Sequence, residues 1–146
     1  MLKKRIALFV LSASMMLTLI PSSTFASNVK DRPFSFYVNS SVGYTTAARA
    51  KEDRSSTYVK INQVPVTYIY LDVQGFRPSS VGGTNYWADE TIGGTQTARK
   101  GEWRVKQNVY ENGGRSARLK FKRFTQSGTV SGVWSPDSVG NAPHLN

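Results

Sequence analysis

Glu102-Trp-Arg-Val-Lys-Gln-Asn-Val-Tyr-Glu-Asn-Gly-Gly-Arg-Ser-Ala-Arg-Leu-Lys-Phe-Lys-Arg-Phe124 decides the class of fold. Asn112-Gly113-Gly114 sits in its middle. Glycine takes positive φ without steric cost and asparagine tolerates it, so the tripeptide is a hairpin signal. Apolar residues occupy odd positions in both arms: Trp103, Val105 and Val109 before the turn, Ala117, Leu119 and Phe121 after it. That period of two is the period of a strand. A three-residue loop keeps odd opposite odd, pairing Val105 with Phe121 and Val109 with Ala117. The same register sets Arg104 opposite Lys122, Lys106 opposite Lys120, and Asn108 opposite Arg118. Like charges directly opposite one another destabilise a ladder, so a hairpin of this kind needs something to use or neutralise them.

Outward from this stretch, the alternation recurs. Phe34, Phe36 and Val38 mark a first strand, and Val42 to Arg49 is a loop or a short second one. Ser56 to Ile61 and Thr67 to Val73 follow. In the latter, Ile69, Leu71 and Val73 share one face and Tyr68, Tyr70 and Asp72 the other. Gly75 to Asn85 reads as a loop. Val81-Gly-Gly-Thr-Asn85 is echoed by Ile92-Gly-Gly-Thr-Gln96, which suggests two similar turns bounding a short strand at Tyr86-Trp87. Thr129 to Trp134 is the last strand, and Ser135-Pro136-Asp137-Ser138 is turn chemistry. No segment has sustained helical periodicity. About seven strands with turn signals roughly every 8–12 residues predict an all-β domain, a single antiparallel sandwich or barrel. The tail from Gly140 to Asn146 lacks periodicity and is expected to fray.

The first 26 residues read differently. Lys3-Lys4-Arg5 precedes an apolar stretch from Ile6 to Ile20, then Pro21 and Thr24-Phe25-Ala26. This is the pattern of a secretory signal peptide cleaved after Ala26. It predicts one β domain over residues 27–146 and a secreted protein, extracellular or associated with the cell wall. Three of the 19 basic residues lie in that leader, leaving 16 against 9 acids and a net charge of +7. Such a charge attracts anionic partners: envelope polymers, lipid head groups or nucleic acid. Nucleic acid is not expected, because no recognisable nucleic-acid motif is present. The chain contains no cysteine, which excludes disulfides, a cysteine nucleophile and a thiolate metal site.

Catalytic chemistry is sparse. The single histidine, His144, lies in the tail, and the nine acids do not recur in a calcium-loop spacing. A glycosidase-like carboxylate pair assembled in space stays open as an alternative. The charge cluster Arg49-Ala-Lys-Glu-Asp-Arg54 reads as a solvated loop of mutually paired charges. Trp103 and Trp134 are expected in the core. Tyr86 and Trp87, in a Gly-rich region, are candidate exposed aromatic contacts for sugar rings or a membrane interface. The sharpest candidate is the cationic face of the hairpin, Arg104, Lys106, Arg118, Lys120 and Lys122, as an anion-binding surface. No cofactor and no metal is implied, and the oligomeric state stays open.

Three stretches together resemble a known family: Arg49-Ala-Lys-Glu-Asp-Arg-Ser-Ser-Thr-Tyr-Val59, Gly101-Glu-Trp with Asn108-Val-Tyr-Glu111, and Ser131-Gly-Val-Trp-Ser-Pro-Asp-Ser138. The family comprises small exported proteins of spore-forming Gram-positive bacteria, classed as a domain of unknown function. The resemblance implies export and one compact domain, and transfers no catalytic residue. In overall form the chain is also distantly similar to lactococcin-type bacteriocins, without any shared motif. The expected function is therefore a secreted, non-catalytic module that binds anionic cell-envelope polymers or lipid head groups. A bacteriocin-like toxin and a small carboxylate-dependent hydrolase are the alternatives.

Overall fold

Alternating apolar residues can face a common core from either of two sheets, and that freedom shapes the molecule. The computed structural model describes residues 27–79 and 83–146. Their strands run in order as β1 (Arg32–Val38), β2 (Tyr44–Thr45), β3 (Arg49–Ala50), β4 (Thr57–Gln63) and β5 (Ile69–Arg77). Then come β6 (Tyr86–Asp89), β7 (Gln96–Ala98), β8 (Gly101–Val105), β9 (Ser116–Lys122) and β10 (Gly128–Ser135). One sheet has the order β1-β10-β4-β8. The other has the order β2-β9-β5-β6, with β3 also on β9 and β7 also on β5. All these pairings are antiparallel. The class is all-β, as the alternation predicts. β2, β3 and β7 are too short to show a period, which is why ten strands appear where about seven are legible. The proposed leader lies outside the described residues, and so does part of the first Gly-Gly-Thr unit. In the second unit Gly93 and Gly94 both have positive φ, and Gly94 N donates to Thr91 O at 3.0 Å.

The two sheets enclose one core. Phe34, Val59, Ile61, Val105, Val130 and Trp134 project into it from the first sheet. Ile69, Leu71, Val73, Leu119 and Phe121 meet them from the second. The rings of Phe34 and Phe121 stack across the interface at 4.8 Å. Each such side chain contributes about 1.5–3 kcal/mol by leaving water. Trp134 is buried as expected, whereas Trp103 is half-buried at the core margin, where its Nε1 donates to Arg99 O at 2.9 Å.

The hairpin does not form. β8 pairs with β4, setting Arg104 opposite Tyr58, while β9 pairs with β5, setting Lys120 opposite Asp72. Between them, residues 106–115 carry the chain from one sheet to the other. This corner satisfies its own backbone: Asn112 N donates to Asn108 O at 2.9 Å, and Gly114 N to Val109 O at 2.8 Å. The buried Gln107 side chain accepts from Val109 N and donates to Ser55 O. Gly114 is required by proximity, since a Cβ there would lie 2.9 Å from Val109 O. The odd-numbered apolar residues of the two arms do face one core, but across it rather than side by side. Separation also removes the like-charge pairs that the hairpin register would impose. In their place Lys60 stands opposite Glu102 and bridges it at 2.9 Å.

Two other expectations are corrected. The tail from residue 140 is not frayed. Arg104 N donates to Pro143 O at 2.8 Å, Leu145 N donates to Arg104 O at 2.9 Å, and Leu145 packs on the core. The tail thus runs parallel along the outer edge of β8 and covers it. The cluster at 49–54 is not a solvated loop either, because Lys51 is buried against Asp137 with Nζ–Oδ1 at 2.5 Å. Beside this pair, burial pushes the Asp53 carboxyl upward. The opposing hydrogen bonds from the Ser55 hydroxyl and backbone N–H and the charge of Lys51 outweigh that and hold it at about 2. A carboxyl depressed in the folded state contributes stability above its unfolded value, about 3.9, and loses it as pH falls through 2. Asp53→Asn is therefore expected to flatten the acid limb of stability between about pH 4 and pH 2, read by urea denaturation at stepped pH.

Candidate functional site: the outer face of the second sheet

Along β9, alternate residues Arg118, Lys120 and Lys122 point to the solvent side while Ala117, Leu119 and Phe121 are buried. A two-residue step along a strand is about 6.6 Å, so the three cations form an evenly spaced row. Neighbouring β5 presents Tyr70, Asp72, Gln74 and Phe76 to the same face, through the register Tyr70–Lys122, Asp72–Lys120 and Gln74–Arg118. β5 runs on to Arg77, two residues beyond Gly75, where a loop is expected from the sequence. Gly75 is a packing position: a Cβ there would lie 2.9 Å from both Glu90 Cγ and Val109 Cγ1.

The cations have distinct surroundings. Lys122 Nζ bridges Asp72 Oδ2 at 2.8 Å and donates to Thr95 Oγ1 at 3.1 Å. Arg118 Nε donates to Gln74 Oε1 at 2.8 Å, and its guanidinium carbon stands 4.1 Å from the Trp87 ring centroid. Burial lowers the Arg118 pKa, without bringing it near neutrality. Lys120 lies over Gly43, where a Cβ would fall 2.4 Å from Lys120 Cε. Among the described residues, neither Arg118 nor Lys120 is in an ion pair. Asp72 is buried, and its Oδ1 has no hydrogen-bond partner.

Aromatic rings close both ends of the row. At one end Phe124 meets Tyr68 at 5.7 Å and Tyr70 at 5.1 Å, edge to face. At the other, Trp87 packs on Phe76 at 5.2 Å. From Tyr70 to Phe76 the strip is about 20 Å long at roughly 3.3 Å per residue. Cations at regular spacing make charge-assisted hydrogen bonds to phosphate or carboxylate groups, and ring faces stack on sugars.

This arrangement divides the residues singled out by sequence. Arg118, Lys120 and Lys122 come together with Trp87. Arg104 and Lys106 do not join them, because Arg104 lies in β8 of the first sheet and Lys106 in the corner that follows it. Arg104 Nε donates to Ala142 O at 2.6 Å, and Lys106 N donates to Asn146 Oδ1 at 2.8 Å, so both hold the tail. Tyr86 is half exposed but sits opposite Arg77, on the other face of β6 from Trp87. Gln74, Phe76 and Phe124 were not anticipated. The first two become legible once the outward parity of Tyr70 and Asp72 is continued through Gly75.

Two further places bear on catalysis. Asp31, Tyr58 and Glu102 line a cleft of about 340 Å³. The hydrogen bond and charge of Lys60 lower the Glu102 carboxyl, the reverse of what a general acid in a glycosidase requires. His144 Nε2 lies 3.2 Å from Ser56 Oγ, and burial together with Arg104 and Lys106 lowers its pKa. Among the described residues, no group of three or more His, Asp or Glu side chains is placed to hold a metal ion.

No curated protein and no solved structure matches the chain. Residues 22–138 match a family described as protein of unknown function (DUF2712), and the chain belongs to that family.

Proposed function

We propose that the protein is an exported, non-catalytic module whose second sheet binds an extended anionic polymer of the cell envelope. The observation that supports this most directly is the row Arg118, Lys120, Lys122, in which only Lys122 has a carboxylate partner among the described residues. Aromatic rings at both ends favour a chain that carries sugar rings as well as anionic groups. A strip about 20 Å long fits several repeats of a linear polymer better than a single head group.

Lys120→Gln is the informative variant, because Lys120 is partly exposed and unpaired. Lys122 is unsuitable, since its loss strands the buried Asp72. Hydrogen bonds to charged groups are worth about 1.5–3 kcal/mol, so Lys120→Gln should weaken binding at least tenfold. Its salt dependence should also become shallower. Lys106→Gln, in the corner after β8, should leave binding unchanged. The measurement is co-sedimentation with intact Gram-positive cell walls, before and after wall polyanions are stripped, across a salt series. Binding that survives stripping, or that responds equally to Lys106→Gln and Lys120→Gln, overturns the assignment.

A further inference from the structure

The two sides of the sandwich are closed differently. On one side the tail covers β8, and Asn146 Nδ2 donates to Ile92 O at 2.6 Å and Lys106 O at 3.0 Å, tying the margins together. On the other side β1 is the edge of the first sheet, and β2 and β3 form the broken edge of the second. Between these edges lies a groove of about 540 Å³. Phe34, Phe36, Trp134 and Ala47 line it, and Arg32 and Arg49 line it as well. That volume is within the range of small-molecule sites, which are mostly apolar with a few placed polar groups.

The two arginines differ. Arg49 is committed to the fold: its Nη1 donates to Trp134 O at 2.8 Å, and its Nη2 to Asn28 Oδ1 at 2.8 Å and Lys30 O at 2.6 Å. Arg32 is exposed and in no ion pair among the described residues. The two guanidinium charges oppose each other: burial and then the charge of Arg32 lower the pKa of Arg49, against the smaller opposing effects of Asp31 and Asp137. An anion at this end of the groove relieves that repulsion, and a carboxylate matches the guanidinium fork. A strand added to β1 is the rival occupant. Pro33 stands in that edge strand and lacks an N–H, and proline at a sheet edge blunts such pairing.

We propose that this groove binds a single-chain amphiphile with a carboxylate head, its chain along Phe36 and Ala47 and its head at Arg32. The site is separate from the cationic strip of the second sheet. Calorimetric titration of the full folded domain with dodecanoate, below its micellar concentration, tests it. Saturable one-to-one binding is expected. Arg32→Gln should weaken it about tenfold, Ala47→Trp should abolish it by filling the groove, and dodecanol should bind at least tenfold more weakly. Lys120→Gln should leave it unchanged, so failure here is distinguishable from failure of the polymer reading. Absence of saturable binding overturns the site. Dodecanol binding as tight as dodecanoate, or indifference to Arg32→Gln, overturns the head-group assignment. Should Ala47→Trp fail to fold, Arg32→Gln on the protein surface still decides the matter. Displacement of dodecanoate by an extended apolar peptide but not by decanoate would favour strand addition and overturn the proposal.

Discussion

Asp137→Ala is expected to lower stability by about 3–5 kcal/mol, measured by urea denaturation at pH 7. Both side chains of the Lys51–Asp137 pair are fully buried. Asp137 Oδ1 accepts from Lys51 Nζ, and its Oδ2 accepts from Asn28 N at 2.8 Å and Glu52 N at 3.1 Å. Removing the carboxylate takes the closest partner from a buried ammonium and leaves two part-buried backbone donors without their acceptor. Lys51 keeps the Ser55 carbonyl, at 2.6 Å, and the Asp53 carboxylate, whose Oδ1 lies 3.6 Å from Nζ. Removing the closest partner of a buried charge is among the most destabilising changes a fold can suffer. For a domain whose total stability is about 5–15 kcal/mol, the variant stands near the unfolding threshold. The double variant Lys51→Met/Asp137→Leu should recover a large part of the loss, because a well-packed apolar pair of similar volume often replaces a buried ion pair at little cost. If Asp137→Ala is as stable as the parent, the pair is not buried in solution as described.

Gly132→Ala is expected to cost at least about 3 kcal/mol, the upper end of what overpacking does. Gly132 lies in β10, where the register with β4 shifts between Ser131 and Gly132. A Cβ there would fall 1.9 Å from Lys60 O and 3.0 Å from Phe34 Cζ. The closest atom is backbone in a central strand, so no rotamer change relieves the clash, and β10 must move away from β4. Gly94→Ala is a useful contrast. Gly94 has a φ of +73° but nothing within 4 Å of its added Cβ. Its cost should be the backbone preference alone, about 1–2 kcal/mol. A Gly132→Ala loss no larger than that of Gly94→Ala would show that the strands yield more easily than their spacing implies.

Asp137 and Gly132 both belong to the segment Ser131-Gly-Val-Trp-Ser-Pro-Asp-Ser138. The structure accounts for that segment by packing. Gly132 allows the close passage of β4, Trp134 fills the core, and Asp137 anchors Lys51. Thr57 Oγ1 donates to Pro136 O at 3.1 Å, and Ser138 N donates to Ser55 Oγ at 2.9 Å, which seats the turn against the start of β4. None of these residues reaches the cationic strip. The segment therefore serves the fold, and the binding proposal rests on a different part of the chain.

Local pattern was enough for the class and for the side-chain parity. A strand's period is a property of consecutive residues, so Phe34 and Val38, Ile69 to Val73, and Ala117 to Phe121 declare their inward faces without knowledge of any partner. Partner choice is not local. Asn112-Gly113-Gly114 suits a corner as well as a hairpin, and two apolar-odd arms can bury against each other across a core as readily as along one sheet. What decides is the set of neighbours met by the outward residues: Asp72 beside the cations of β9 and Lys60 beside Glu102, in place of cation on cation. The same limit hid the buried Lys51, whose acid lies 86 residues away. It also hid the docked tail, which has no period of its own and is held by backbone bonds to Arg104. Charge and alternation thus belong to the sequence alone. Which cations share a face, and which are already neutralised, is determined only when the two sheets close on their common core.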